Sequence, residues 1–106
     1  MPPAITRYLP RMAADEVIRY WGPVKYRSAV TEGHPLGRAA RIALLTNQNL
    51  WYCGSDRSTG VPLHRVARIS YVERRLSGFL RLELDSGHVH EFFEGRRYMR
   101  RLRRLL

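Results

Sequence analysis

The chain has 106 residues, of which 44% are hydrophobic, so it is long and apolar enough for one packed domain and is not typical of disordered proteins. No apolar run approaches the roughly 20 residues that cross a bilayer, which excludes an evident membrane span. The single cysteine, Cys53, excludes an internal disulfide and favours a reducing compartment. We therefore expect a cytoplasmic protein, with contact at the periphery of a membrane left open.

The strongest feature of the composition is its charge. Nineteen lysine and arginine residues against nine acidic residues give a net charge of +10, which attracts nucleic acid, anionic lipid headgroups or acidic proteins. Lys25 is the only lysine, and the other cations are arginines. The guanidinium group of arginine can make two parallel hydrogen bonds to a phosphate group, which favours a role in phosphate recognition. The codon bias of a GC-rich genome also leads to arginine in place of lysine throughout a chain. Both explanations of the arginine excess stay open on sequence grounds.

The N-terminal part of the chain divides into an arm and a helix. Residues 1–11 contain prolines at positions 2, 3 and 10, which exclude a regular helix or a central strand, so we expect an extended arm. Residues 12–106 are interpreted as a single domain. Its first predicted element is a short helix at residues 12–21, where apolar residues recur at helical spacing before a Gly-Pro pair ends it.

From Val24 onward, apolar and polar residues alternate with a period of two, as in half-buried strands. The polar residues 46–49 interrupt two apolar stretches, and their asparagines suit a tight turn, so this region predicts a hairpin with Trp51 on its outer side. Residues 86–87, Ser-Gly, predict a second hairpin turn. The seven predicted strands are residues 24–31, 38–45, 50–54, 61–63, 66–74, 79–85 and 88–93.

The last segment returns to a period of 3.6 residues, which is typical of an amphipathic helix. Its apolar stripe consists of Tyr98, Met99, Leu102, Leu105 and Leu106. Strands first and a helix last predict an α+β fold, with about seven antiparallel strands in two sheets and a C-terminal helix that covers one end of the core.

Several short motifs resemble those of the pleckstrin-homology-like superfold, and within it the GRAM and bacterial PH-type domains. They are D-E-V-I at residues 15–18, L-L-T-N at 44–47, V-P-L at 61–63 and L-E-L-D-S-G at 82–87, followed by Phe92 and a terminal helix. The resemblance implies a partly open barrel that serves as a binding platform and carries out no reaction. The loop at 32–37 is not rich in basic residues, in contrast to the first hairpin of inositol-lipid-binding relatives.

Candidate site residues follow from charge and chemistry. Trp51 is a candidate protein interface, since an exposed tryptophan can anchor a partner. His88 and His90, two apart on a strand, are weak candidates for a metal pair that lacks a third ligand. Cys53 has no adjacent base, so we predict no catalytic residue, no cofactor and no small-molecule substrate. The candidate anion-binding or lipid-binding residues are Lys25, Arg27, Arg38, Arg41, Arg96, Arg97, Arg100, Arg101, Arg103 and Arg104.

Three functions are compatible with these features, and none is catalytic. We rank first a binding or assembly module that associates with a protein partner or with its own copies, through an exposed strand edge or the surface around Trp51. Peripheral binding to anionic lipid headgroups through the arginine-rich surfaces comes second. Nucleic-acid binding comes third, because the sequence does not display the exposed aromatic residues that a single-strand platform uses.

Overall fold

The computed structural model of the chain describes residues 12–28, 41–54 and 58–106. The arm predicted at residues 1–11 and the loop at 32–37 lie outside these ranges. The described residues form eight strands and one helix, joined in part by a single 3₁₀ turn. In chain order the elements are β1 (Ile18–Pro23), β2 (Lys25–Ser28), β3 (Ile42–Thr46), β4 (Asn49–Cys53), β5 (Ser58–Pro62), β6 (Val66–Glu73), β7 (Ser77–Leu84), β8 (Val89–Gly95) and α1 (Arg96–Leu105).

These strands form two separate antiparallel sheets. The first sheet has the order β1-β3-β4-β5, and the second has the order β2-β8-β7-β6. β1 and β2 follow each other along the chain but belong to different sheets, because the chain leaves the first sheet at Val24. The backbone N–H of Val24 donates to the carbonyl of Arg41 at 3.1 Å. This short segment therefore links the two sheets covalently.

The core lies between the inner faces of the two sheets, where alternate residues of each strand point inward. On β7 the buried Leu80 and Leu82 alternate with the exposed Arg81, and on β8 the buried Phe92 precedes the half-buried Phe93. The alternation predicted for these strands is confirmed. The first sheet contributes Tyr20, Ala43, Leu45, Leu50, Tyr52 and Val61 to the same core.

The helix α1 packs against β7, β8 and β1. Met99 and Leu102 are buried in the core, while Leu105 and Leu106 pack against its margin, so the predicted amphipathic helix is confirmed. Gly78 on β7 permits the close approach of the helix, because a Cβ atom added there would lie 2.8 Å from the Cβ of Met99. The contact between helix and sheet thus depends on the absence of a side chain at one position.

The short helix predicted at residues 12–21 is wrong. Residues 12–17 contain a turn, and residues 18–21 belong to the strand β1. Within β1, the buried Tyr20 alternates with the exposed Arg19 and Trp21, which is a period of two. The apolar positions that suggested a helix are too few to define a period of 3.6. Hydrogen-bonded pairing of β1 with β3 stabilises the strand instead.

The predicted α+β class, with antiparallel strands in two sheets followed by a C-terminal helix, is confirmed. The described strands do not close into a barrel. The hairpin around residues 46–49 is confirmed, since Leu45 lies opposite Leu50 in the β3–β4 pair. Trp51 lies opposite Leu44 on the outer face of the first sheet, as the alternation predicts.

Candidate functional site

The basic residues predicted to bind anions lie on different elements. Lys25 and Arg27 are exposed on β2, at the edge of the second sheet, and Arg27 makes an ion pair of 3.1 Å with Glu91 on β8. The six predicted arginines at residues 96–104 all belong to α1. Arg38 lies outside the described residues. These candidate residues therefore do not form one patch. They lie on two surfaces, one at β2 and one at α1.

Several of the helix arginines are engaged by neighbouring side chains. Arg100 forms a bidentate ion pair with Glu73 at the end of β6, in which Nη2 of Arg100 donates to Oε2 of Glu73 at 2.7 Å. The guanidinium carbon of Arg103 lies 5.6 Å from the ring centroid of Tyr71, and that of Arg97 lies 5.1 Å from Tyr98. The contacts of Arg100 and Arg103 hold α1 against β6, whereas the contact of Arg97 with Tyr98 lies within the helix. Arg96, Arg101 and Arg104 are exposed and make no ion pair within the described ranges.

Arg41 is placed differently from the other candidates. Its Nε atom is buried and has no hydrogen-bond partner in the part of the chain that the structure describes. Its guanidinium carbon lies 5.7 Å from the ring centroid of Tyr52, a core residue. Arg41 thus packs beside the core, and a surface anion has less access to it than to Lys25.

Trp51 is held on the outer face of the first sheet by a cluster of polar contacts. Its indole Nε1 donates to Oε2 of Glu16 at 2.6 Å, and the hydroxyl of Thr46 donates to the same oxygen at 2.7 Å. The Asn49 side chain donates to the other carboxylate oxygen at 3.2 Å. Gly60 lies directly under the indole ring, where an added Cβ would be 2.7 Å from Trp51. We call Glu16, Thr46, Asn49 and Trp51 the Glu16 cluster.

Trp51 is therefore partly covered by its own chain, and its role as a protein interface stays a prediction. The neighbouring Trp21 is the more exposed of the two tryptophans, at 45%, and lies opposite Leu44 on the same outer face. The helix predicted at residues 12–21 gave Trp21 no strand partner, so this pairing was not expected from the sequence. Alternation within β1, from Tyr20 inward to Trp21 outward, is the signal that identifies it.

The ionisation of Glu16 is tied to these contacts. Partial burial acts to raise the pKa of the Glu16 carboxyl, but hydrogen bonds from Trp51, Thr46, the Ala13 backbone and Asn49 outweigh it. The pKa of Glu16 therefore lies below its ordinary value of 4.5. A depressed folded-state pKa stabilises the fold above the unfolded-state value, and this stabilisation is lost as the pH falls through the folded-state value.

Replacing Glu16 by glutamine is expected to lower the free energy of unfolding by about 1 kcal/mol at pH 7, because charge-assisted hydrogen bonds become neutral ones. The difference from the unmodified chain should shrink as the pH falls below 4.5, where the carboxylate takes up its proton. Urea denaturation at a series of pH values measures both effects. The control is Asp15→Asn, which removes the same charge from an exposed neighbour. Equal losses in the two variants would contradict the role of the Glu16 cluster.

Two of the candidate reactive side chains, Cys53 and His90, are buried. Burial raises the pKa of the Cys53 thiol to about 11 despite a hydrogen bond with Ser58, so the thiol stays protonated near neutral pH. Burial, with a smaller effect from His88, lowers the pKa of His90. The His90 Nδ1 atom is hydrogen-bonded to the hydroxyl of Tyr26 at 2.6 Å, whereas His88 is exposed in the turn before β8. Among the described residues, no group of three histidine, cysteine or acidic side chains is arranged to hold a metal ion.

A pair of phenylalanines occupies the outer face of the second sheet. Phe79 on β7 and Phe93 on β8 are direct cross-strand partners, and their ring centroids are 5.4 Å apart with an interplanar angle of 17°. Lys25 follows on β2 opposite Phe93, and Val72 follows on β6 opposite Phe79. We call this row, together with Arg27 and Arg81 beside it, the aromatic face. Of its residues, only Lys25 and Arg27 were predicted from the sequence as anion-binding candidates.

The second sheet also ends in an edge strand, β6, which pairs on one side with β7 along its length and has no described strand on the other. Two large apolar side chains of β6 are exposed, Ile69 at 47% and Val72 at 57%. The turn after β6 carries Leu76, which is 81% exposed between basic residues and the start of α1. Apolar exposure in the second half of the chain is thus concentrated on and beside this edge.

Within the described ranges, no helix has both the length and the apolar character needed to span a membrane. Comparison of the chain with protein-family models, with curated proteins and with solved structures finds no match.

Proposed function

We propose that the chain is a non-catalytic binding module with a pleckstrin-homology-like arrangement. The order of its elements supports this proposal: a first segment that contributes β1 to one antiparallel sheet and β2 to the other, a meander of hairpins, and a C-terminal helix that packs into the core. The protonated, buried Cys53 supports a role without nucleophilic chemistry. A module of this kind acts through its surface, so the proposal depends on which surfaces are open.

The proposed activity is association with a protein partner through the edge strand β6, and a second copy of this chain is the partner we commit to. The observation that carries it is the exposure of Ile69 and Val72 on a strand that, among the described strands, is paired on one side only. An unpaired edge offers its free N–H and C=O groups to a further strand, and apolar side chains on both of its faces strengthen such pairing. At eight residues, β6 is long enough to pair over several residues.

Light scattering at high micromolar concentration tests this proposal. We expect a dimer mass for the unmodified chain and a monomer mass for Ile69→Lys, because a charge on the edge opposes strand pairing. The matched control is Leu76→Lys, which makes the same change at an exposed position in the adjacent turn and should remain dimeric. A monomer mass for the unmodified chain at every concentration contradicts self-association through β6.

A second candidate function, peripheral binding to anionic lipid, is favoured by the turn between β6 and β7. Leu76 projects there next to Arg74 and Arg75, and its carbonyl accepts the backbone N–H of Arg96 at 3.1 Å, which brings the start of α1 close. An exposed leucine among cations suits the interface of an anionic membrane. With this surface we propose a cytoplasmic location with reversible membrane contact.

Sedimentation with vesicles separates this candidate from the first. Pelleting should require anionic lipid, and Leu76→Ser should reduce it while leaving the mass measured by light scattering unchanged. Equal pelleting with neutral and anionic vesicles would reject lipid recognition by this turn.

A further inference from the structure

The aromatic face presents two stacked rings to solvent at the centre of a four-stranded sheet. Leu80 and Phe92 point into the core, so their neighbours Phe79 and Phe93 must point outward on the two central strands. Both rings are half-buried, and no described helix lies over them, because α1 packs on the opposite side of the sheet. A contiguous apolar patch with a polar rim is typical of an interaction site, so we consider what this pair could bind.

Cations surround the two rings. The guanidinium carbon of Arg74 lies 5.5 Å from the centroid of Phe79, and Lys25 lies beside Phe93 on the adjacent strand. The rest of this outer face carries the exposed Arg27, Arg81 and Arg68, against two carboxylates. The register that defines these rows places Arg81 between Glu91 and Ser70, and Arg68 opposite Glu83. The face is therefore positively charged overall and aromatic at its centre.

We propose that the aromatic face binds single-stranded nucleic acid. Unpaired bases stack on aromatic side chains, and the phosphates that accompany them are neutralised by flanking arginine and lysine residues. A four-stranded antiparallel sheet with aromatic side chains on its central strands is a geometry that suits splayed bases. The bases of a duplex are already stacked on each other, so the two phenylalanine rings can make fewer stacking contacts with a double strand. The net charge of +10 adds long-range attraction for such a polyanion.

The geometry favours nucleic acid over a membrane at this face. Phe79 and Phe93 are half-buried between strands, whereas a side chain that enters a bilayer projects from the surface as Leu76 does. The aromatic face meets the β6 edge at Val72 and the Leu76 turn at Arg74, but the proposal is tested at Phe93 and Arg81, which belong to neither of those surfaces. It therefore stands or falls separately from the function proposed above.

Fluorescence anisotropy with a labelled dT20 oligonucleotide and a labelled U20 oligonucleotide at low salt tests the proposal. We expect binding that weakens steeply with salt, and a loss of about tenfold in affinity for Phe93→Leu, which keeps apolar bulk but removes a stacking surface. Circular dichroism confirms that this variant is folded. An unlabelled duplex of the same length should compete less well than the single strand.

A matched pair of charge variants distinguishes a site from general attraction. Arg81→Ala removes a cation from the aromatic face, and Arg104→Ala removes one from the exposed side of α1, so both lower the net charge equally. We expect several-fold weaker binding for Arg81→Ala and little change for Arg104→Ala. Equal weakening by both, together with unchanged binding by Phe93→Leu, overturns the proposal in favour of nonspecific polycation binding.

Two further outcomes also overturn it. One is the absence of binding to either oligonucleotide at low salt. The other is pelleting with anionic vesicles that Phe93→Leu abolishes while oligonucleotide binding is unaffected, which would assign the aromatic face to a membrane surface. The variant Ile69→Lys, which adds one positive charge, should bind oligonucleotide at least as well as the unmodified chain does, so a failure of β6 pairing is distinguishable from a failure of this proposal.

Discussion

Replacing Phe92 by alanine is expected to lower the free energy of unfolding by about 3–5 kcal/mol. Phe92 is fully buried in the core, and its ring packs beside Tyr26 at a centroid distance of 5.1 Å. Removing it costs the transfer free energy of the ring and leaves a cavity that the surrounding strands fill only in part. Urea denaturation followed by circular dichroism measures the loss.

The matched control is Phe93→Ala, the next residue on the same strand. Phe93 lies on the opposite face of β8 and contacts Phe79 at the surface, so its loss should cost only about 1 kcal/mol. The two variants remove the same atoms from adjacent positions, and a large difference between them is the signature of the alternating register. Similar losses in both would contradict the assignment of inner and outer faces on β8.

Replacing Gly78 by alanine is expected to destabilise the protein by about 1–3 kcal/mol, through overpacking. The new methyl group would lie 2.6 Å from the Tyr71 hydroxyl and 2.8 Å from the Cβ of Met99. The tyrosine can swing away, but the Cβ of Met99 moves only if α1 moves, so the helix must shift away from β7. Thermal unfolding should show a decrease of about 4–8 °C for each kcal/mol lost.

Ser77→Ala serves as the control for Gly78→Ala, since it changes the preceding residue of β7 on the outer face of the sheet. This variant is expected to unfold within about 0.5 kcal/mol of the unmodified chain. If Gly78→Ala were as stable as Ser77→Ala, the close helix–sheet contact at this glycine would be disproved.

The elements with strong periodicity were predictable from the sequence. Leu80 and Leu82 alternate with charged residues, and the stripe that contains Met99 and Leu102 recurs at helical spacing, so local patterns alone define β7 and α1. The turn at residues 86–87 was also predictable, because Gly87 adopts a φ of 90°, a conformation that glycine accepts readily, whereas the turn expected at residues 76–78 ends earlier, since Ser77 and Gly78 begin β7. Here the pattern along the chain and the packing of the fold demand the same structure.

The segment before Val24 was not predictable in the same way. Ile18 and Trp21 fit a helix as well as a strand, because six residues are too few to separate the two periods. The strand is selected by pairing with β3, in which the paired residues lie between 19 positions (Pro23 and Ile42) and 28 positions (Ile18 and Thr46) apart in the chain. Local propensity gives way to tertiary pairing at this point.

The candidate surfaces depend on contacts between distant positions, which a single sequence does not reveal. Glu16 is hydrogen-bonded to Trp51 across 35 positions, and Arg100 pairs with Glu73 across 27. The pairing of Phe79 with Phe93 becomes visible only when the register of β7 and β8 is known. The absence of exposed aromatic residues was the reason for ranking nucleic acid last, and the aromatic face removes that reason.

The bend at Val24 places one continuous segment, residues 18–28, in both sheets. The two sheets are joined by this segment and line one common core, so we expect a single cooperative unfolding transition. Both tryptophans of the chain, Trp21 and Trp51, lie in the first sheet, and their fluorescence observes that half of the molecule directly. Because the transition is expected to be cooperative, tryptophan emission also reports the unfolding of the second sheet, which contains no tryptophan and carries the proposed binding surfaces.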